Sequence, residues 1–429
     1  MSETTPEQSF LVIGSGGREH AIAWKLSTSP SRPTVYVIPG NDGIARDEAI
    51  RCVRPSLEVT DHSALARFAR EQNISLTVVG PEAPLSAGIV DHFEAAGLPI
   101  FGPKQAAAQL EASKAFAKEI MVAAGVPTAA YAVFDALEPA LAYARGAAHP
   151  LVIKADGLAA GKGVVISPDV ETSVRTLKEF IADARFGDAS ARVVLEEFLE
   201  GVECSFMVLT DGDTVLPLST SQDHKRLGDG DVGPNTGGMG ALVPSPHASD
   251  ELVRVALEQV VRPTLAELRA RGIEYAGFLY AGLMLTDEGP KVLEFNVRLG
   301  DPETQALMAA THADLADILL RASTGDLHAS EDLAEGAHAC CVVLASRGYP
   351  GERDTGFPIE GLDAAASHAH VKVFHAGTKA MADGRLVNSG GRVLGVTATG
   401  ADQAEARARA YAAVAEIRWE GMTFRGDIG

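Results

Sequence analysis

Three glycines and two lysines are concentrated in the segment LVIKADGLAAGKGVVI, residues 151–166, between two strand-like runs. They are Lys154, Gly157, Gly161, Lys162 and Gly163. Glycines let backbone N–H groups approach phosphate oxygens closely, and lysines supply the opposing charge. The segment is not a P-loop, because only three residues separate Gly157 from Gly161 and a glycine follows Lys162. We therefore predict a phosphate-binding lid, with a glycine-rich hairpin carrying solvated lysines as the alternative.

A second segment with chemical side chains, VLEFNVRLGDPETQ, occupies residues 292–305. If its first half is a strand, successive side chains point to opposite faces. The core face is then predicted to hold Leu293, Phe295 and Val297. The opposite face is predicted to present Glu294, Asn296 and Arg298.

The polar face of this strand suits phosphoryl transfer. Glu294 and Asn296 offer two hard oxygen ligands, which favours Mg²⁺ carried in on nucleotide phosphates. Arg298 can meet the negative charge that builds up as a phosphoryl group moves. The alternative is an amphipathic strand whose polar face is solvated. Beyond it, Asp301, Pro302 and Glu303 are predicted as N-cap, first-turn proline and first-turn acid of a helix whose N-terminus could also bind a carboxylate.

Three acids come at and after the end of another predicted strand, VVLEEF at 193–198. Glu196 and Glu197 are adjacent, so their side chains should point to opposite faces, and Glu203 follows six residues after Glu197. At most one of the adjacent pair can then line a given pocket through its side chain. Surface charge is the better interpretation of the other.

Two loops near the amino terminus follow predicted strands and could form the walls of one crevice. The first, GSGGREH at 14–20, opens a helix, where the N–H groups of Gly14, Gly16 and Gly17 can hold a phosphate beside Arg18. It matches the dinucleotide fingerprint only loosely, because Glu19 occupies the third glycine position and no acid lies near residue 38. The second loop, GPEAPL, begins with Gly80, Pro81 and Glu82.

The elements around these motifs predict a multidomain α/β and α+β protein. Short apolar runs alternate with helical patterns in the first hundred residues, which indicates a parallel sheet. A helix over 111–124 and mixed α+β segments follow. Residues 219–240 are polar and lack periodicity, which predicts a long functional loop. A smaller unit begins near residue 330.

Composition narrows the possible functions. A net charge of −20 argues against nucleic acids and anionic membranes as partners, because both attract positive surfaces. Cys52, Cys204, Cys340 and Cys341 have no CxxC spacing and are predicted to be reduced core thiols. No signal peptide or membrane helix is evident in the sequence, so we expect a cytoplasmic protein.

Taken together, these motifs resemble the glycinamide ribonucleotide synthetase family of ATP-grasp ligases. The matching strings include GSGGREHA, VGPEAPL, LEASKAF, VIKADGLAAGKGV, TSQDHKR, GPNTGGMGA, EFNVRLGDPETQ and FHAGT, in that order. The resemblance runs from about residue 9 to the end of the chain. Ser15 is a departure, since the family often has Asn there.

The resemblance implies an architecture and a reaction. We expect an amino-terminal pre-ATP-grasp domain over 1–105, an ATP-grasp domain over 106–330 with a lid subdomain at about 125–190, and a carboxy-terminal domain over 331–429. The family phosphorylates glycine with ATP, and the amine of 5-phosphoribosylamine then attacks the glycyl phosphate. Mg²⁺ or Mn²⁺ is the implied metal, and a monomer is the favoured state.

Site residues carry over position by position from the resemblance. The implied ATP contacts are Lys114, Lys154, Gly157, Gly161, Lys162, Gly163, Glu196, Glu197, Phe198, Leu199 and Glu203. The implied contacts to glycine and phosphoribosylamine are the two amino-terminal loops together with Asp223, Lys225, Arg298, Gly300, Asp301, Pro302 and Glu303. Glu294 and Asn296 would bind the metal, and Arg298, Lys162 and Asp223 would be catalytic.

Three other readings remain open at this level. An ATP-grasp ligase acting on another carboxylate, such as a carboxylase or a formate-using relative, would share most of these motifs. A nicotinamide-dependent oxidoreductase is suggested only by GSGGRE, and the missing third glycine and ribose-binding acid argue against it. A regulator that only senses nucleotide would not need the set formed by Glu294, Asn296 and Arg298.

Overall fold

The computed structural model describes residues 8–52, 57–159 and 163–429. The predicted lid residues Gly161 and Lys162 lie outside these ranges. In the described part of the chain, no helix is both long and apolar enough to cross a bilayer. Cys204, Cys340 and Cys341 are buried free thiols, as predicted. Burial raises the pKa of the Cys204 thiol to about 11, which keeps it protonated and unreactive.

The amino-terminal region contains a parallel five-stranded sheet, which confirms the predicted fold of this part. In chain order its strands are β1 (Ser9–Gly14), β2 (Thr34–Pro39), β3 (Arg51–Cys52), β4 (Leu76–Val79) and β5 (Ile100–Phe101). Helices α1 (Gly17–Ser27), α2 (His62–Glu71), α3 (Glu82–Ser86) and α4 (Ile89–Ala95) connect and cover them. The strand order β3-β2-β1-β4-β5 places β1 at the switch point of the sheet. The loops after β1 and β4 are therefore neighbours, which is where ligands enter such sheets.

Two helices and a small antiparallel sheet follow. Helices α5 (Gln105–Ala112) and α6 (Lys114–Ala123) are separate, because Ser113 ends the first and caps the second through its hydroxyl. The single helix predicted over 111–124 is thus wrong at its start. The small unit consists of β6 (Tyr131–Phe134), α7 (Leu137–Gly146), β7 (Leu151–Ala155), β8 (Val164–Ser167), α8 (Val170–Leu177) and β9 (Val193–Glu197). Its sheet order is β6-β9-β7-β8, and it has a hydrophobic cluster of its own.

A second antiparallel sheet faces the small unit. It is built from β10 (Val202–Thr210), β11 (Val215–Pro217), β16 (Gly277–Thr286) and β17 (Gly289–Asn296) in the order β11-β10-β16-β17. The intervening chain forms β12 (Gln222–Asp223), β13 (Arg226–Gly228), β14 (Val232–Asn235), β15 (Gly240–Val243), α9 (Asp250–Val255) and α10 (Arg262–Ala270). The prediction of an irregular loop over 219–240 is therefore wrong. Its short strands pair with partners that local periodicity does not reveal, β12 with β15 and β13 with β14.

The remaining elements form the carboxy-terminal sheet and two helices before it. They are α11 (Glu303–Ala310), α12 (Leu315–Ala322), β18 (His338–Ser346), α13 (Leu362–Ala366), β19 (Val371–His375), β20 (Thr378–Ala380), β21 (Leu386–Asn388), β22 (Arg392–Gly400), α14 (Gln403–Val414) and β23 (Met422–Thr423). The sheet order is β12-β15-β18-β22-β19, with β23 pairing with β18. Strands β12 and β15, which come before residue 331, thus join this sheet. The domain boundaries given above stay a prediction.

Glu19 organises the crevice between the two amino-terminal loops. Its buried carboxylate accepts the Gly16 N–H at 2.6 Å and pairs with Arg18 at 2.6 Å. A Cβ at Gly80 would lie 2.1 Å from Glu19 Oε1, and one at Gly14 would lie 2.4 Å from Glu19 Cγ. These glycines are therefore required by the close approach of a buried acid, which fills the third glycine position of the dinucleotide fingerprint.

We predict that Gly80→Ala lowers the free energy of unfolding by roughly 1–3 kcal/mol, because Glu19 cannot yield without losing its partners. Gly146→Ala is the matched control, since nothing lies within 4 Å of a Cβ at this helical position. The control should be neutral or stabilising by up to about 1 kcal/mol. Urea unfolding of the two variants checks this, and equal stabilities would contradict the packing described here.

Candidate active site

A cavity of about 340 Å³ lies between the two antiparallel four-stranded sheets. Strands β7, β8 and β9 contribute to one wall, and β16 and β17 contribute to the other. Of the predicted site residues, those that line it are Glu82, Lys114, Lys154, Gly163, Glu196, Glu197, Phe198, Leu199, Glu203, Asp223, Lys225, Glu294, Asn296, Arg298, Gly300, Asp301 and Glu303. The cavity thus collects residues from positions 82 to 303 of the chain.

Glu196 is the charged residue at the centre of the β9 wall. Its side chain is 2% exposed, and its two oxygens face Lys118 at 3.1 Å and Lys154 at 2.9 Å. Lys118 also donates to the Thr128 hydroxyl at 2.7 Å. Burial lowers the pKa of Lys118 to about 8, although the Glu196 carboxylate opposes this shift. A buried carboxylate between two ammonium groups gives this wall a charge pattern able to orient a polar ligand.

Glu197 points away from this cluster, as the predicted alternation requires. It is exposed and accepts the Ala130 N–H at 2.9 Å, while Phe198 and Leu199 continue along the edge of the cavity. Glu203, on β10, reaches across to Lys225 at 2.6 Å. That contact joins the β10 wall to the segment between β12 and β13.

The first residues of the glycine segment, Asp156 and Gly157, are held by neighbouring side chains. Lys114 donates to the Gly157 carbonyl at 3.2 Å, and Arg192 binds the Asp156 carboxylate at 2.6 Å. Burial lowers the pKa of Lys114. Strands β7 and β8, on either side of the glycine segment, pair antiparallel, and the lid itself stays a prediction. Gly157 does not line the cavity but packs on Ala189, whose Cα would lie 2.7 Å from an added Cβ.

Strand β17 differs from the predicted alternation at Leu293. A bulge pairs Gly282 with Glu294 and Leu283 with Val292, so Leu293 is the extra residue. Val292 enters the core in its place, and Leu293 lines the cavity. Its carbonyl accepts a hydrogen bond from Lys154 at 3.0 Å. The core positions predicted for Phe295 and Val297 are confirmed.

The three polar residues of β17 and its extension do share one wall of the cavity, as predicted. Burial alone would raise the pKa of Glu294, but Lys225, Lys154 and Lys114 lower it overall. Glu294 is thereby kept ionised. Asn296 is buried, and its side-chain oxygen accepts from Arg298 at 2.9 Å.

A hard divalent cation fits this pair of oxygens. Both donors are oxygens on one strand face, and the carboxylate is already charged, as Mg²⁺ coordination requires. Among the described residues, no three His, Cys, Asp or Glu side chains form a closed metal cage. An ion at this wall would therefore take its remaining ligands from phosphate oxygens and water, as expected of a nucleotide-borne metal.

Arg298 is held by acids from two other elements. Glu111 binds its guanidinium at 2.7 Å and also accepts the Val297 N–H at 2.8 Å. Glu82, the first residue of α3, approaches the same guanidinium at 3.5 Å. Burial opposes the charge of Arg298, but Glu111 and Glu82 raise its pKa. The arginine is thus fixed in position and permanently charged.

Asp223 and Glu303 bring a second pair of acids to the cavity. Burial, then the nearby Glu303 charge, raise the pKa of Asp223 well above its ordinary value. Tyr280 donates its one hydroxyl hydrogen to Glu303 at 2.8 Å and therefore accepts from the Ser205 hydroxyl at 2.8 Å. Burial likewise opposes the charge of Lys225, but Glu203 and Glu294 raise its pKa. Acidic and basic side chains that shift one another's pKa therefore lie close together at this end of the cavity.

The turn before α11 corrects one prediction. The helix begins at Glu303 with Pro302 as its N-cap, and Asp301 makes no capping bond. The Asp301 carboxylate instead accepts from Gln305 at 2.8 Å and faces Arg392 at 3.4 Å. Asp301 therefore contacts Gln305 of α11 and Arg392 of the carboxy-terminal domain instead of capping the helix. Gly300, Asp301 and Glu303 reach the cavity, whereas Pro302 does not line it.

Apart from Glu82, which lines the cavity, the two amino-terminal loops lie beside this turn. Gly14, Gly16, Gly17, Arg18, Glu19, Gly80 and Pro81 do not line it. Arg18 donates to the Leu299 carbonyl at 3.3 Å, and a Cβ at Gly17 would meet the Gln305 side chain at 2.6 Å. The loops therefore adjoin the residues 299–305, and their assignment to substrate stays a prediction.

Several cavity residues were not identified from the sequence. Lys118, Glu111 and Tyr280 line the cavity, and Arg392 lies behind it. Lys118 had a usable signal, since it is four residues after Lys114 and so shares its helix face. Glu111 lies in the LEASKAF string. No local signal marks Arg392, because its partners are more than ninety residues away in the chain.

Comparisons with known proteins agree with this geometry. The phosphoribosylglycinamide synthetase N domain matches residues 8–111, its ATP-grasp (A) domain residues 112–304, and its C domain residues 339–429. A phosphoribosylamine–glycine ligase from Salmonella typhimurium is 52% identical over 420 residues, covering 98% of this chain and 97% of the relative. The chain belongs to the phosphoribosylglycinamide synthetase family.

Solved structures support the same assignment. A phosphoribosylamine–glycine ligase from Thermotoga maritima superposes with a TM-score of 0.85 at 34% identity, covering 98% of this chain and all of that one. A biotin carboxylase from Campylobacter jejuni has a TM-score of 0.73 at 13% identity, covering 97% of this chain and 93% of that one, and shows the fold alone. The predicted fold class, with an ATP-grasp centre typical of the phosphoribosylglycinamide synthetase family, is therefore confirmed.

We predict that Lys118→Met destabilises this synthetase-family chain by about 3 kcal/mol, because it leaves the buried Glu196 carboxylate with Lys154 alone. ATP affinity should fall with it. Lys104→Met is the control, since Lys104 pairs with Glu94 at the surface, and it should cost at most about 1 kcal/mol. Urea unfolding and ATP titration measure both effects. Equal losses in the two variants would contradict the buried cluster.

We predict that Glu294→Gln and Asn296→Ala each slow turnover at limiting Mg²⁺ by at least about tenfold, or about 1.4 kcal/mol, while the protein stays folded. Each change removes an oxygen that is predicted to bind the metal, or the charge of that oxygen. Glu288→Gln is the control, because Glu288 is exposed on the same hairpin and pairs only with Lys291 among its described neighbours. Wild-type rates in both test variants across a Mg²⁺ titration would rule out metal binding by Glu294 and Asn296.

Proposed function

We propose that this chain is an ATP-dependent ligase that joins glycine to 5-phosphoribosylamine, giving glycinamide ribonucleotide, ADP and phosphate in purine biosynthesis. The observation that carries the proposal is the cavity wall of Glu294, Asn296 and Arg298, set opposite the cluster of Glu196, Lys118 and Lys154 in a chain 52% identical to a ligase of that name. One wall suits phosphoryl chemistry, and the other suits a nucleotide.

The nucleotide is assigned to the space between the two sheets. Lys154 and Lys114 face the phosphate side, where their charges also neutralise Glu294. Glu196, Glu197, Phe198, Leu199 and Glu203 border the base and ribose side. Lys162 and Gly161, outside the described residues, keep the lid role predicted from the sequence. Support for this assignment is the charge pattern of the walls and the family's ATP-grasp domain.

Phosphoryl transfer from ATP to the glycine carboxylate produces ADP and glycyl phosphate. Arg298 is the residue best placed to meet the transferring charge, because Glu111 and Glu82 fix its guanidinium at the cavity wall. Glu294 and Asn296 would hold the divalent metal that neutralises the phosphate oxygens, and we propose Mg²⁺ or Mn²⁺ for it. A cavity that excludes water protects the acyl phosphate until the amine arrives.

In the second half-reaction the amine of phosphoribosylamine attacks the glycyl carbonyl. The C–N bond forms, the C–O bond to phosphate breaks, and the amine loses one proton. We assign Asp223, Lys225 and Glu303 to the placement of these groups, since they share one end of the cavity. The adjoining amino-terminal loops would hold the ribose phosphate through N–H groups at the start of α1 other than that of Gly16, which donates to Glu19. The monomeric state and the cytoplasmic location stay predictions.

Isotope transfer tests this proposal directly. With glycine labelled by ¹⁸O in its carboxylate, one label should appear in the released phosphate, because that oxygen bridges carbon and phosphorus in glycyl phosphate. ADP release should require both glycine and freshly generated phosphoribosylamine. Bicarbonate and formate in place of glycine are the controls for related ATP-grasp ligases. Equal ADP release with either control, or unlabelled phosphate from labelled glycine, would overturn the assignment.

A further inference from the structure

Arg392, the first residue of β22, connects the carboxy-terminal sheet to the active-site cavity. It does not line the cavity itself. Its guanidinium donates to the Asp301 carbonyl at 2.6 Å and faces the Asp301 carboxylate at 3.4 Å. The same group donates to the carbonyls of Gly237 and Gly238. One side chain therefore joins two stretches of cavity wall that are far apart in sequence.

Gly237 forms hydrogen bonds to the carboxy-terminal domain through both its N–H and its carbonyl. Its N–H donates to the Tyr349 hydroxyl at 2.9 Å, and its carbonyl accepts from Arg392. A Cβ at this position would lie 3.1 Å from Arg392 Cζ and 3.2 Å from the Tyr349 oxygen. Thr236 and Gly237 line the cavity. The hydrogen bonds of Gly237 to Tyr349 and Arg392 therefore fix the position of this part of the cavity wall.

The charge of Arg392 also acts on the acids at this end of the cavity. Burial would raise the pKa of Asp301, but Arg392, with smaller contributions from Arg18, Gln305 and Arg298, lowers it overall. Burial opposes the charge of Arg392 in turn, and Asp301, Tyr349, Asp223 and Glu303 raise its pKa. The arginine is thus close to the acids assigned to the acceptor substrates. It makes no described contact with the Glu196 cluster on the nucleotide side.

The far side of the same segment is held by the carboxy-terminal tail. Arg425, 2% exposed, pairs with Asp231 at 2.5 Å and donates to the Arg226 carbonyl at 3.2 Å. Asp427 accepts the Gly230 N–H at 2.7 Å, and Asp229 accepts the Gly426 N–H at 2.8 Å. The tip of the β13–β14 hairpin, residues 229–231, is therefore bonded to the carboxy-terminal tail. Arg392 bonds to Gly237 and Gly238, which connect β14 to β15.

We infer that Arg392 is a positioning residue that sets the acceptor-substrate wall, residues 236–238 and 301, with Arg425 anchoring the hairpin behind it. The inference rests on the proposed function for the identity of those substrates. One terminal nitrogen of Arg392 donates to the Gly237 and Asp301 carbonyls, and the other faces the Asp301 carboxylate. A lysine has a single terminal nitrogen and could not occupy both positions at once. The carboxy-terminal domain in this way supports a site whose predicted catalytic residues, Arg298, Lys162 and Asp223, come earlier in the chain.

The test compares Arg392→Met and Arg392→Lys with Arg418→Met, a control in the same domain whose side chain is 79% exposed and pairs with Glu360. We expect the Michaelis constant for glycine or phosphoribosylamine to rise roughly tenfold or more in Arg392→Met, with the constant for ATP changed less than about twofold. Arg392→Lys should recover only part of the loss. Guanidinium added at millimolar concentration should improve Arg392→Met and leave the control unchanged.

A second measurement does not depend on turnover. Amide hydrogen exchange over residues 229–240 should become faster in Arg392→Met and in Arg425→Met, while exchange in β7 and β9 stays as in the wild type. Equal rises in all three Michaelis constants, or a loss of rate explained by unfolded protein, would overturn the inference. Unchanged exchange over 229–240 would overturn it as well. Failure of the proposed function would show instead in the wild-type protein, as ADP release that does not need glycine.

Discussion

Charge burial is the constraint on which the rest of this structure depends. A cavity that handles phosphates must hold several ionised groups away from water, and each such group is costly unless an opposite charge or hydrogen bond meets it. Glu196 lies between Lys118 and Lys154, and Arg298 lies against Glu111 and Glu82. These pairs draw on α3, α5, α6, β7 and β9. The charged residues can be paired in this cavity only because elements from separate domains meet there.

Backbone geometry serves the same purpose. The bulge at Leu293 turns its carbonyl toward Lys154 and keeps Val292 in the core, so that Glu294 and Asn296 still face the cavity. At the amino terminus, glycines leave room for the buried Glu19, which ties the loop before α1 to Arg18. In both places the chain departs from regular structure where a polar group must be satisfied.

The carboxy-terminal sheet has a structural part in the site, and of the predicted catalytic residues it carries Asp223. Strands β12 and β15 belong to this sheet, so Asp223 is carried on its edge. Arg392 and Arg425 extend the same dependence to the hairpin between those strands. A ligase must exclude water while admitting three substrates. The carboxy-terminal domain holds the wall formed by residues 236–238 and 301 in place. It does so without covering the opposite side of the cavity.

Local patterns alone predict much of this protein. Apolar runs indicate the parallel sheet, because buried strands in such sheets are continuously hydrophobic, and strand alternation places Glu294, Asn296 and Arg298 on one face. The ordered motifs were enough to indicate the family. Tertiary structure decided which side Leu293 takes, why Asp301 leaves its capping position, and which of Glu196 and Glu197 turns inward. Those outcomes depend on partners such as Arg392 and Lys118, which are distant in the chain and come near only when the sheets assemble. Sequence periodicity depends on residues that are close in the chain. The pairing of buried charges depends on residues that are close in space, and these are known only once the chain has folded.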